Sequence, residues 1–257
     1  MKANTALGFV FAGAAVWFLT CDEPRLRVAG QVCGALVVLL GLLTICEYIL
    51  RLESGIDQIL LREATSTARY PGRPSPITAL EFSMMGVASL LFRRPSLRAH
   101  RTMQLLASLM MIFAYLAVIG YLYSMPALYT IAGYNSIALH TAVAFGVLGL
   151  AILMLDSNRG VIRLLTSRSA GGIVSRRMLP FALVAPVVVG WLRLKAQDFG
   201  FVDTTGGVLL FATVLAAMFV TVVLWAARSL DTVDRERRKL DEVGRLFAAL
   251  KDTHQHL

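Results

Sequence analysis

Apolar residues run along this chain in long blocks, at 4–20, 27–50, 77–93, 102–123, 138–155, 179–195 and 205–228, separated by stretches that hold most of the charge. Neither the alternation of a half-buried strand nor the narrow stripe of a surface helix accounts for blocks of this length. A helix rises 1.5 Å per residue, so about 20 apolar residues cross the roughly 30 Å hydrocarbon layer of a bilayer. The pattern predicts an all-α fold, a polytopic membrane bundle of seven transmembrane helices. The first block, behind Lys2, has the look of a secretion signal. Leu19-Thr20-Cys21-Asp22 stands where a cleavage site needs small residues, however, and the block's pattern recurs later, so it is expected to stay as a helix.

The recurring pattern is T-A-[LV]-x-F-x-x-x-G-x-A. It reads Thr5-Ala6-Leu7-Gly8-Phe9 with Gly13 and Ala15 in the first segment, and Thr78-Ala79-Leu80-Glu81-Phe82 with Gly86 and Ala88 in the third. The fifth segment has Thr141-Ala142-Val143-Ala144-Phe145 with Gly149 and Ala151. The partner segments correspond too. Glu47-Tyr48 closes the second before Gly55-Ile56-Asp57, Gly120-Tyr121 the fourth before Pro126-Ala127-Leu128-Tyr129, and Gly190-Trp191 the sixth before Gly200-Phe201-Val202-Asp203. The unit is a helical hairpin. Three such repeats plus a final helix make seven spans, and because every copy starts on the same side they are parallel repeats, not inverted ones. Phe, Gly and Ala at these spacings read first as a close-packing stripe between helices in lipid.

Composition agrees with lipid as the solvent. The chain is 57% hydrophobic and 16% charged, against about a quarter charged in a soluble domain. Its net charge of +9 is spread between the apolar blocks and not gathered on one soluble surface, which argues against nucleic acid. With the C-terminus in the cytoplasm, the inner side holds 18 of the 25 Lys and Arg residues. These include Arg93, Arg94, Arg98 and Arg101, Arg159 to Arg177, and seven from Arg228 onward. Such an excess in short loops sets the N-terminus outside and the C-terminus inside. Cys21, Cys33 and Cys46 make neither a disulfide framework nor a thiolate site. The last two sit 13 residues apart on one helix, about 20 Å, and all three read as packing residues.

On this topology the polar exceptions share one depth near the outer interface. Glu47 and Tyr48 end the second segment, Glu81 and His140 begin the third and fifth, Tyr121 ends the fourth, and Trp191 and Arg193 end the sixth. Ionisable groups inside spans are costly and face a bundle interior or a wet cavity, so these residues predict an outward-opening polar vestibule for an unknown small ligand. Asp57, Tyr129 and Asp203, in outer loops, join the candidate set. The competing reading is an ion pair of Glu47 or Glu81 with Arg193 inside an ordinary aromatic belt. Whether a metal binds stays open, with His140, Glu47 and Glu81 as its candidates. Pro186, mid-helix and four residues before Gly190, predicts a kink.

Residues 1–228 form the expected membrane domain and 229–257 a cytoplasmic signalling helix, continuous with the last span. Leu230, Val233 and Leu240 mark one heptad stripe; Leu240, Val243, Phe247 and Leu250 mark a second in another phase. A break of this kind suits a coiled coil with two packings, and so a parallel homodimer. His254 and His256 lack the acidic, Arg and Pro surroundings of a kinase phospho-acceptor box.

Taken together, Asn4-Thr5-Ala6-Leu7, Gly55-Ile56-Asp57-Gln58, Gly120-Tyr121-Leu122-Tyr123, Ala138-Leu139-His140-Thr141-Ala142, Ser169-Ala170-Gly171-Gly172, Gly190-Trp191-Leu192-Arg193 and Asp234-Arg235-Glu236-Arg237-Arg238 carry a family resemblance over nearly the whole chain. The chain resembles the N-terminal seven-helix membrane sensory region (MASE-like) of bacterial PAS-linked and hybrid histidine kinases and diguanylate cyclases. The resemblance implies a sensor in the bacterial inner (cytoplasmic) membrane, passing a signal to a cytoplasmic kinase or cyclase output domain; it brings no ligand with it. Within the 257 residues there is no ATP-binding domain, Gly-rich phosphate loop or GGDEF segment, so no catalysis is expected here. The alternative is a small-molecule or ion transporter or channel, which predicts charged or unwound segments at mid-membrane that are not evident. A retinal would need a lysine in the last span and a bis-histidine haem a second intramembrane histidine, so no cofactor is expected.

Overall fold

A computed structural model of the protein describes residues 2–51, 70–131, 134–155, 160–167 and 169–228. All the regular structure among them is helical: α1 (Ala3–Thr20), α2 (Pro24–Leu50), α3 (Pro76–Leu91), α4 (Leu97–Leu122), α5 (Leu139–Leu155), α6 (Gly160–Thr166), α7 (Ala170–Asp198) and α8 (Thr204–Arg228), with a 3₁₀ turn at Pro126–Leu128. The seven apolar blocks therefore correspond to α1 to α5, α7 and α8. Five of these, α1, α2, α4, α7 and α8, are long and apolar enough to cross a membrane; α3 and α5 are shorter apolar helices of 16 and 17 residues. The short α6 falls in what hydropathy reads as a loop. The expected coiled coil lies at 229–257, outside the described residues.

Three of the helix starts, those of α3, α7 and α8, are capped by side chains. Ser75 precedes Pro76 and accepts the Thr78 N–H, Ser169 accepts the Gly172 N–H, and Asp203 accepts the Gly206 N–H, so each fills a donor position that the helix leaves open. Three helices begin three or more residues earlier than the apolar blocks: α2 at Pro24, α4 at Leu97 and α7 at Ala170. The added residues include Arg25, Arg98 and Arg101, and Arg176 and Arg177, which a hydropathy reading excludes although the backbone continues through them.

The described residues divide into two compact units, one up to Ile162 and one from Arg163 onward. In the first, α1, α3 and α5 touch one another. Helix α3 packs most extensively on α2, and α5 on α4. The buried faces are the small ones. Helix α1 buries Thr5, Gly8, Ala12, Ala15 and Leu19, and α2 buries Gly30, Gly34, Val37, Gly41 and Thr44, both at the alternating three- and four-residue spacing of a heptad seam. Meanwhile Trp17, Leu39, Ile49 and Val147 stand exposed. Small residues inside and large apolar ones outside is the arrangement expected where lipid, not water, covers the surface. Gly86 of α3 meets the α2 backbone so closely that a Cβ there would lie 2.6 Å from the Gly34 carbonyl.

The second unit contains α7 and α8. Helix α7 runs for 29 residues with Pro180 and Pro186 inside it. Arg177 lies over the Trp225 ring of α8, 6.0 Å from its centroid.

Candidate functional site

The polar chemistry of the first unit collects where α1, α3 and α5 begin. The loop Tyr70-Pro71-Gly72-Arg73-Pro74-Ser75 enters α3 there, and its prolines leave carbonyls without neighbouring N–H donors. Side chains supply the donors. Lys2 Nζ and Asn135 Nδ2 each donate to both the Tyr70 and Arg73 carbonyls, at 2.5–3.2 Å, and the Tyr48 hydroxyl donates to the Pro74 carbonyl at 2.7 Å. Gly72, at φ 75°, takes the left-handed conformation that the turn requires.

This loop carries Arg73 inward to Glu47, with an N–O separation of 3.5 Å and side chains 3% and 9% exposed. The guanidinium also lies over the rings of Tyr48 and Tyr70, 5.2 and 4.8 Å from their centroids, and Tyr134 closes edge-on against Tyr48 at 5.0 Å. A buried charge pair keeps its charges only when both are well satisfied, and an aromatic face suits a guanidinium. This cluster therefore holds the loop against the ends of α1 and α2.

Beside it lies a cavity of about 170 Å³, lined by Lys2, Thr5, Pro74, Ser75, Thr78, Ser136, Ala138 and Thr141. Thr5, Thr78 and Thr141 are the same letter of the T-A-[LV]-x-F pattern, and all three are buried. One turn along, the pattern's phenylalanines also meet. Phe9, Phe82 and Phe145 touch pairwise, with centroids 4.7–5.2 Å apart. At the far ends of the same helices, Leu19, Phe92 and Leu155, each fourteen residues past its threonine, line a second, open cavity of about 560 Å³. Equivalent positions thus make a hydroxyl ring, an aromatic plug and an opposite opening in succession.

Glu81 occupies the pattern position filled by Gly8 and Ala144 in the other copies. Its side chain is fully buried, and neither carboxyl oxygen has a hydrogen-bond partner among the described residues. It is not on the cavity wall.

Of the residues singled out from sequence, Glu47 and Tyr48 come together, with Arg73 as the partner of Glu47. Tyr121 donates to the Ile137 carbonyl at 2.6 Å and stacks on Tyr129 at 4.2 Å, made possible by Gly120, which lies beneath Leu128 and Tyr129. His140 is exposed at the start of α5. Trp191, Arg193 and Asp203 belong to the second unit. Trp191 is exposed, Arg193 donates to the Thr204 carbonyl at 3.5 Å, and Asp203 caps α8. Among the described residues, no three His, Cys, Asp or Glu side chains gather as a metal would require. Asp57, Leu230, Val233, Leu240, Val243, Phe247 and Leu250 lie outside the described residues.

Lys2, Arg73, Asn135 and the threonine ring are absent from the sequence-derived site. The threonines had a visible signal, a hydroxyl recurring at the first position of three helices. Arg73 had none, since only the loop's path brings it to Glu47. Comparison with known proteins adds no assignment: no family model, curated protein or solved structure matches the chain.

Proposed function

We propose that the chain is the membrane-embedded input module of a bacterial signal-transduction receptor, of histidine kinase or cyclase type. It detects a periplasmic or membrane-borne cue at the end where α1, α3 and α5 begin and passes the signal through α8 to a cytoplasmic output. The observation that carries this reading is the hydroxyl-lined cavity at that end, set above three contacting phenylalanines. A binding site placed over a packed plug suits a protein that responds to a ligand without letting it through. The family resemblance supports the same reading. The reading includes a three-hairpin repeat with N-out, C-in topology, a parallel homodimer joined through 229–257, and catalysis by a separate cytoplasmic output domain.

One observation favours a transporter as the second reading: cavities of about 170 and 560 Å³ open at opposite ends of the same three helices. The experiment joins the whole chain at Leu257 to a cyclase output in bacterial membranes and reads output while external small solutes are varied. In parallel, flux of the same solutes is measured in liposomes. The sensor reading expects output that changes with a solute and no flux. Solute-dependent flux with constant output overturns it in favour of the transporter.

A further inference from the structure

We propose that the threonine-lined cavity binds a compact oxyanion, a phosphate- or carboxylate-sized group. The proposal rests on the sensory reading of this end of the bundle and names the chemistry of its ligand.

Three helices begin at this one cavity. Helices α1, α3 and α5 are 18, 16 and 17 residues long, and Thr5, Ser75, Thr78 and Thr141 from their first turns form its wall. Each helix start carries a partial positive charge and N–H groups with no partner in the helix. The first ladder bonds are Ala6 N–H to Lys2 and Ala142 N–H to Ala138, so the amides of Thr5 and Thr141 precede them and remain available. Anions collect at such ends.

The side chains point to a ligand independently. Thr5 and Thr141 are 4% and 3% exposed overall, and both line the cavity with no hydrogen bond from either hydroxyl to another described residue. The two hydroxyls are therefore open to whatever fills the cavity, as donors and as acceptors. Lys2 is the one charged residue on the wall; Glu47 and Glu81 are not part of it. A cation would meet an ammonium and three positive helix ends, whereas an oxyanion would accept from hydroxyls and amides beside the Lys2 charge, whose own donors are engaged by the Tyr70 and Arg73 carbonyls. The volume sets the size. At about 30 Å³ per water the cavity of about 170 Å³ holds roughly six waters, room for a tetrahedral anion with a few of them.

Free anion and phospholipid headgroup share this chemistry, and the test separates them. Purified full-length chain in a phosphate-free maltoside detergent is titrated calorimetrically with inorganic phosphate, with acetate and with short-chain phosphatidylglycerol. Saturable phosphate or acetate binding indicates a free anion as the source. Phosphatidylglycerol binding that competes with phosphate indicates a headgroup. In either case Thr5→Val with Thr141→Val should weaken binding roughly tenfold or more, the size of a lost hydrogen bond to a charged group, and Thr5→Ser with Thr141→Ser should keep it. If the double valine variant fails to fold, each single valine variant is read the same way. No binding by the wild-type chain overturns the proposal, as does binding that survives valine or is lost equally with serine. Because binding is measured without an output domain, its failure leaves the sensor reading open to another ligand. Binding that never changes output sinks the sensor reading alone.

Discussion

Arg73 shows how much one loop residue contributes when its partner is inside the bundle. Removing the guanidinium in Arg73→Ala leaves Glu47 buried without its counter-charge, which costs about 3–5 kcal/mol in comparable buried pairs. Thermal unfolding in detergent should show a large fall in Tm, partly restored by adding Glu47→Gln; a variant as stable as the wild type would mean that the pair is dispensable. The pattern's glycines make a second test, because one repeat letter meets different surroundings. A Cβ at Gly86 strikes the α2 backbone, so Gly86→Ala should lose about 1–3 kcal/mol, whereas Gly13 has nothing within 4 Å and Gly13→Ala should be neutral or gain up to about 1 kcal/mol of helix propensity. Equal effects at the two positions, measured by the same unfolding assay, would contradict the close approach of α2 and α3. Single residues were legible in sequence only by their own character. Glu47 stands out as a charge in an apolar block, but its partner is 26 residues away, and nothing local in Pro-Gly-Arg-Pro marks that arginine as the inward-facing one. The threonines are visible as a repeat, but the packing stripe is read from Phe, Gly and Ala, and a hydroxyl early in a helix serves packing, capping or binding equally well.

At the scale of elements, hydropathy located every long apolar helix and misjudged their ends. It follows side chains, while the backbone continues through Arg25, Arg98 and Arg176 at no cost once those turns reach the interface, where long basic side chains are comfortable. It also missed α6, which is seven residues long and has no apolar block to announce it. Neighbour choice was the harder matter. A hairpin reading pairs α3 with α4, yet α3 packs more on α2, since Gly34 and Gly41 give α2 a surface shallow enough for the backbone of α3 to approach. Orientation across the membrane is the element-scale prediction. Reporter domains that work only outside the cytoplasm should be active when fused after Asp57, Tyr134 or Asp203, and inactive after Arg98 or Arg168. These positions alternate between the ends of successive helices, and 18 of 25 basic residues sit on the second set's side. The opposite pattern of activity would turn the cavity inward and remove an external cue from the proposed mechanism.

At the scale of the whole molecule, the proposed mechanism needs a route from the cavity to an output, and the sequence after α8 supplies its chemistry. From Arg228 to Leu257 no proline interrupts the chain. Leu230, Val233 and Leu240 lie on one heptad phase, and Leu240, Val243, Phe247 and Leu250 on another. In the proposed coiled coil, a seam that changes phase near Leu240 would offer two packings of similar energy, between which a small movement of α8 would select. Arg237 falls on the first stripe and Gly244 beside the second, so the proposed pairing draws part of its contact from the membrane helices. The expected outcome is a parallel homodimer. In a chain freed of Cys21, Cys33 and Cys46, cysteines placed at Leu240 or Leu250 should crosslink between subunits in native membranes more readily than cysteines at Asp241 or Lys251. A bound oxyanion should also change the ratio of crosslinking at Leu240 to that at Leu250, because those residues stand on either side of the phase change. Equal crosslinking at all four positions would remove the paired linker. Preferential crosslinking whose ratio ignores every anion would keep the dimer but disconnect it from the cavity.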